Sequence, residues 1–356
     1  MSEVLLLIMA LFAILGGLDR ILGDRFGLGK EFEDGITAMG SLALAMLGII
    51  CLAPVLASLL RPVVVPVFRL LGADPAMFAG SILACDMGGG ALAMELSNDP
   101  MAALFGGVLC GSMLGATVVF TIPVAMGILK EEDRPFLAKG ILAGVVTIPV
   151  GLFVGGLVMG MPIVRILGNL VPIVLIAGLI ALGLWRAETA MIKGFGMFGK
   201  GIIALITIGL AAGVFEGITG ITLIPGLAPI EEGFLTVGAI AIVLAGAFPL
   251  VHAVTTLLRK PLMKLGGKLG VNDVAAGGLI ATLANSIATF ERVKDMDERG
   301  KVVNIAFAVS AAFVFGDHMG FTAGFAPQML PGMIVGKLAG GASAVALALL
   351  LTRKEK

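Results

Sequence analysis

Eleven apolar runs, eight of them free of charge, separated by short polar connections leave this chain only one kind of environment in which to fold. They lie at about 4–18, 36–60, 76–94, 101–129, 140–161, 166–185, 201–215, 234–258, 274–290, 302–326 and 331–352. Most approach the ~20 residues that an α-helix needs to cross a bilayer core. Charged residues make up 13% of the 356 positions, against about 25% in a soluble domain. The missing surface charge predicts a surface that faces lipid. The 52 glycines suit helices that approach closely through small residues. The expected fold is all-α: one integral membrane domain over 1–356 with about 10–11 transmembrane helices.

Other composition signals are exclusions. Formal net charge is zero, which gives no reason to expect a nucleic-acid partner. Cys51, Cys85 and Cys110 lie in apolar segments at spacings that match no metal motif. They read as small buried hydrophobes, with no disulfide and no metal expected. Val4–Leu18 has neither a basic leader nor a small-residue cleavage site and reads as a retained helix. Tyr is absent and Trp185 is the single Trp, so the usual interfacial aromatic belt is largely missing. Lys and Arg cluster at 61–69, 130–139, 186–200 and 259–268, but also at 20–30 and 292–301. If every run crosses, these fall on both sides and the basic bias is weak, unless 76–94 or 274–290 fails to cross fully.

The chain carries an internal echo. Pro54 and Leu59-Leu60-Arg61-Pro62 match Pro249 and Leu257-Leu258-Arg259-Lys260-Pro261. At an offset near 198, Leu71-Gly72-Ala73-Asp74 and Gly80 align with Leu269-Gly270-Val271-Asn272 and Gly278. Asp86 then falls within one residue of Asn285, and Ser112 on Ser310. A two-fold repeat is expected, with halves about 1–160 and 196–356 and broken helices in each. Its hand depends on the number of crossings. In repeat-built transporters the site lies between the copies, often on unwound helices.

Three ionisable residues sit deep in these runs. An unpartnered charge at mid-bilayer costs at least ~2.5–3.5 kcal/mol. Asp86 precedes Met87-Gly88-Gly89-Gly90, glycines that let the backbone leave helical geometry and line a cavity; capping a second half-helix is the plainer role. Asp317 and His318 lie in Phe315-Gly316-Asp317-His318-Met319-Gly320. Neighbours on a helix point ~100° apart, so one is expected to face a cavity while the other is braced by a neighbouring helix. Thr282, Asn285 and Ser286 fall on adjacent turns and offer hydroxyl and amide groups to one face, and Ser310 offers another hydroxyl. His252 and Lys337 read as snorkelling side chains. Carboxylates beside hydroxyls suit a small cation, through charge-assisted hydrogen bonds and ring faces such as those of Phe120, Phe315 and Phe321. The chemistry stops at a small ammonium compound or a metal cation.

Longer stretches carry a resemblance. Phe32-Glu33-Asp34-Gly35, Ala53-Pro54-Val55-Leu56-Ala57, Met77-Phe78-Ala79-Gly80, Ala84-Cys85-Asp86-Met87-Gly88-Gly89, Ala281-Thr282-Leu283-Ala284-Asn285 and Ala308-Val309-Ser310-Ala311-Ala312-Phe313 with Gly316-Asp317-His318 resemble the ethanolamine permease of bacterial ethanolamine-utilisation systems. The likeness runs nearly end to end, through Met333-Ile334-Val335-Gly336-Lys337-Leu338. The chain is shorter than that family can be around 159–165 and 229–233. The resemblance implies a multi-pass protein of the bacterial inner membrane that takes up ethanolamine for catabolism, not an enzyme. It supplies no binding residues. From chemistry alone, Asp86 and Asp317 are expected to hold the ammonium, with Asn285, Thr282, Ser310 or His318 reading the hydroxyl. No cofactor is expected, and no phosphate loop with Gly-Lys-Ser/Thr occurs to bind a nucleotide. The expected partners are the bilayer, the substrate and, by default, a second copy in a homodimer. Facilitated diffusion and proton-linked transport both remain open. The rivals are a channel for ammonium or a metal cation, and an intramembrane aspartyl protease, whose Tyr-Asp element a chain without Tyr lacks.

Overall fold

The computed structural model describes residues 2–353, and side chains throughout except at 258–260, 262 and 264–267. Among the described residues there are helices and no strands. With seven helices long and apolar enough to cross a bilayer, the protein is an all-α polytopic membrane protein.

Four helices form one packed group. They are α1 (Ser2–Ile21), α2 (Leu28–Leu70), α7 (Ile163–Thr219) and α8 (Ile230–Lys268). Their outer faces carry exposed Leu7, Leu11, Leu44, Leu59, Val164, Leu179 and Ile208, as lipid contact requires. Helix α2 has 43 residues, about 64 Å at 1.5 Å each, roughly twice a ~30 Å hydrocarbon core. Only part of it is a crossing, and Pro54, Pro62 and Pro66 interrupt its later half. Helix α7 combines two runs read as separate in the sequence. It breaks at Ala187 (φ −145°, ψ 50°), and Met191 folds back against Gly183. The basic stretch 186–200, expected to be a connection, is thus the turn and first part of the returning arm. Trp185 and Arg186 stack there at 5.2 Å.

The second group surrounds α5 (Pro100–Ile128), nearly all of which is enclosed. Residues 105–115 and 117–121 of α5 are π-helical. Helices α6 (Arg134–Val158), α11 (Glu298–Ala311) and α13 (Leu330–Leu351) pack around it and one another.

Two short pairs enter without crossing. Helices α3 (Ala76–Ile82) and α4 (Gly89–Leu96) form a hairpin whose ends meet, the Ser97 hydroxyl donating to Asp74 at 2.9 Å. Helices α9 (Asp273–Ala284) and α10 (Ser286–Phe290) form another. Its ends are joined by the Asn272 backbone N–H, which donates to Asp297 at 2.8 Å. Its arms are joined by Thr282 and Thr289, whose hydroxyls are 2.8 Å apart. The ends of the first hairpin lie beside Arg165 and Asn169. Those of the second lie on the opposite face, which also holds the buried Asp133–Lys301 pair (2.5 Å). Two of the eleven runs are therefore re-entrant.

The run 302–326 also differs from a single helix. It unwinds between α11 and α12 (Asp317–Phe325). There Phe313 and Phe315 donate backbone N–H bonds to Thr282 O (3.1 Å) and Leu283 O (2.8 Å) in the second hairpin tip. A Cβ on Gly316 would collide with the carbonyl oxygen of Ala284, so this close approach requires glycine. Phe313 adopts φ +60°, a left-handed conformation costly for a bulky residue and characteristic of functional sites.

Candidate functional site

The tip of the first hairpin is the short turn Cys85–Met87, between Leu83 and the left-handed Gly88 (φ +87°). Gly88 caps α4 without any side-chain bond, so Asp86 is not the helix cap its sequence allowed. Its carboxylate faces a cavity of about 1020 Å³ instead. Asp317 and His318, in the first turn of α12, line the same cavity. The aromatic wall is Phe120 and Phe313, whose rings meet edge to face at 5.5 Å. Phe315 is not among the lining residues, and Phe321 stacks on Phe325 away from it. From this inner end the cavity runs past Ser41 and Thr207 to Met126, Gly127 and Lys193, beside the face that bears Asp133 and Lys301. Lys193 and Lys200 line it from the returning arm of α7.

Asp317 and His318 do divide their roles by direction. Asp317 is partly open to the cavity, whereas His318 is buried. The His318 ring lies 5.4 Å from Phe313, its Nε2 is 3.8 Å from Asp86 Oδ1, and its Nδ1 is 3.0 Å from Lys337 Nζ. Lys337 on α13 is fully buried and also donates to the Ser112 carbonyl of the π-helical stretch. Snorkelling does not describe it. Its position was the available signal: it lies seven residues into α13, about 10 Å along the axis, deeper than a lysine stem comfortably reaches out.

An ammonium has three donors and no lone pair. With Lys337 in its ammonium form it donates to Nδ1, which leaves the ring proton on Nε2, the nitrogen nearer Asp86. The Sγ of Cys85, a carboxylate oxygen of Asp86 and a nitrogen of His318 lie within 4.8 Å of one another, a set that could ligate a metal ion. With Nδ1 engaged by Lys337 and Nε2 protonated, the imidazole has no free lone pair for one. His318, Lys337 and Ser112 form a hydrogen-bonded line, and Asp86 stands 3.8 Å beyond its His318 end.

The remaining sequence candidates lie apart from the cavity lining. Thr282 is buried and paired with Thr289. Asn285 is exposed at the second hairpin tip and caps α10, accepting from Ile287 N–H at 2.8 Å. Ser286 and Ser310 are buried with hydroxyls that have no hydrogen-bond partner among the described residues, Ser310 against Gly340. The one-sided array expected of 282–286 is absent because the helix ends at Asn285. His252 pairs with Glu31 at 3.4 Å on the α2–α8 contact.

Comparison with known proteins finds relatives along nearly the whole chain. The family described as "Ethanolamine utilisation protein, EutH" matches residues 1–351. A Listeria monocytogenes protein named "Probable ethanolamine permease EutH" is 59% identical over 353 residues, covering 99% of this chain and 95% of its own. A Salmonella typhimurium protein of the same name is 47% identical over 392 aligned residues, covering 99% and 96%. The Bacillus subtilis protein YxeR is 50% identical over 351 residues, covering 99% and 95%. The Salmonella alignment exceeds this chain's 356 residues, so that relative carries insertions. No solved structure matches.

Proposed function

Because the chain belongs to the EutH family of ethanolamine utilisation proteins, we propose that it is a permease that takes up ethanolamine across the bacterial cytoplasmic membrane. The observation that carries this reading is the meeting of Asp86 and Asp317 in one cavity, from two unwound elements that are distant in the chain. Ethanolamine is an ammonium and a hydroxyl two carbons apart. In this reading the carboxylates hold the ammonium by charge-assisted hydrogen bonds, Phe120 and Phe313 flank its methylenes, and Ser41 and Thr207 supply hydroxyls near the other end.

Orientation follows from the hairpins. With 74–97 and 272–297 re-entrant, Arg20, Arg25, Lys30, Lys130, Arg134, Lys139, Lys294, Arg299 and Lys301 share one face. The other keeps Arg61, Arg69 and Arg165. The basic face is cytoplasmic by the positive-inside rule, so the cavity opens inward. The halves are an inverted repeat. Helices α1 to α6 correspond to the returning arm of α7 through α13, and the Ile163–Arg186 arm is the extra crossing that turns the second copy over. In support, the aligned Gly80 and Gly278 both sit on first hairpin arms, and Asp86 and Asn285 both on tips. Binding between inverted copies on broken helices is the arrangement of many secondary carriers.

The test is counterflow in vesicles holding the purified protein. Preloaded ethanolamine should drive uptake of labelled ethanolamine, and excess choline or ammonium should compete weakly. Conductance without saturation, or ammonium competing as well as ethanolamine, would favour the channel; no counterflow of any amine would end the reading.

A further inference from the structure

Lys337 has no role in the permease reading so far, yet it is the most completely buried cation described in the molecule. Among the described residues no carboxylate touches it; its polar contacts are the Ser112 carbonyl and His318 Nδ1. Only the width of one imidazole separates it from Asp86. A buried lysine so placed cannot discharge its field into water, and its nearest opposite charges belong to the cavity. We propose that Lys337 is the residue that sets the charge specificity of the site, acting through His318 as a fixed internal cation that limits the cavity to one positive charge of cargo.

The count is short. With all three ionised, Asp86 and Asp317 contribute −2 and Lys337 contributes +1, and His318 is neutral when its Nδ1 accepts from the ammonium. The empty inner site carries −1, and a monocation brings it to zero. Lys193 and Lys200 line the cavity farther out, where water screens them. Without Lys337 the same site carries −2 and suits a dication, or retains a monocation too tightly to release it. The imidazole between the charges keeps Lys337 from closing directly on Asp86, so the carboxylate stays available to cargo. Ser112 supplies its carbonyl from a π-helical stretch, a geometry that recurs at functional sites.

This inference rests on the proposed amine site, and the experiment separates the two. Binding of ethanolamine and of 1,3-diaminopropane, a dication at neutral pH, is measured by calorimetry on purified protein and on Lys337→Met, Asp86→Asn and the double variant. Wild type should prefer ethanolamine. K337M should shift the ratio toward the diamine by about tenfold or more, the effect of one unit charge a few ångströms away in a partly hydrated site. K337M/D86N restores −1 and should bind ethanolamine more tightly than D86N alone, a reversal that a merely structural lysine does not produce. The double variant also serves if K337M alone does not fold, because it removes the unbalanced pair together. An unshifted ratio in a folded K337M, or a double variant no better than D86N, overturns the role of Lys337. Wild-type protein that binds neither amine overturns the amine site itself.

Discussion

The two re-entrant hairpins share a shape and differ in what they bring to the centre. The first places a carboxylate, Asp86, on a three-residue turn released by Gly88 and open to the cavity. The second turns Thr282, Thr289 and Asn285 onto itself. Thr282 bonds Thr289, Thr289 donates to Gly278 O, and Asn285 caps the return helix. Its backbone then pins the unwound segment from which Asp317 emerges. One hairpin supplies charge; the other positions a charge carried by its neighbour. A fold can therefore double a structural device without doubling its chemistry, and a shared register does not imply a shared role.

The sharpest way to break this contrast is to neutralise the charge on the first tip. Asp86→Asn should lower ethanolamine affinity by roughly 10–100-fold, from the ~1.5–3 kcal/mol of a hydrogen bond to a charged group. Equilibrium binding to purified protein reads this directly, and near wild-type affinity would remove Asp86 from the site. The supporting role of the second tip is tested by Gly316→Val, which drives a side chain into the Ala284 carbonyl. It should cost about 1–3 kcal/mol or more of stability, seen as a lower melting temperature in detergent. Gly277→Ala, where nothing lies within 4 Å of the new methyl, should leave it unmoved. A smaller loss, about 1 kcal/mol for a missing helix cap, is expected for Asn285→Ala, with substrate affinity preserved. Should affinity instead fall as far as in D86N, the second tip carries chemistry after all. Least of all, Ser310→Ala should be neutral or slightly stabilising, because it deletes a buried hydroxyl that has no hydrogen-bond partner among the described residues.

Fold class was legible from charge depletion alone. So was the central pairing of Asp86 with Asp317 and His318, because a charge deep in an apolar run is too costly to persist without a partner or a wet cavity. The hairpins were not. A run such as 76–94 has the hydropathy of a crossing, and only the Ser97–Asp74 bond shows that it returns to its own face. That single miscount also blurred orientation, since each re-entrant segment reverses the sides of everything after it. Ser310 and Thr282 misled for another reason: hydroxyls satisfy or hide themselves against backbone anywhere in a helix bundle, so their positions carry little information. Lys337 went unrecognised because a lone lysine ordinarily reaches for water, and its depth in the helix argues against that without naming His318 and Ser112 as its partners.

That lysine also bears on how the protein is made. A lysine near the middle of a helix raises the free energy of insertion by the translocon by about 2.5–3.5 kcal/mol, while each leucine or valine returns only ~0.3–0.6. The nine Leu, Ile and Val residues of helix α13 return about 2.7–5.4 kcal/mol at that rate, which does little more than cancel the penalty. Both acceptors of its ammonium precede it in the chain and are synthesised first. Stable integration of α13 thus waits on a socket already assembled, and a nascent chain with a misfolded core exposes an unsatisfied charge to quality-control proteolysis.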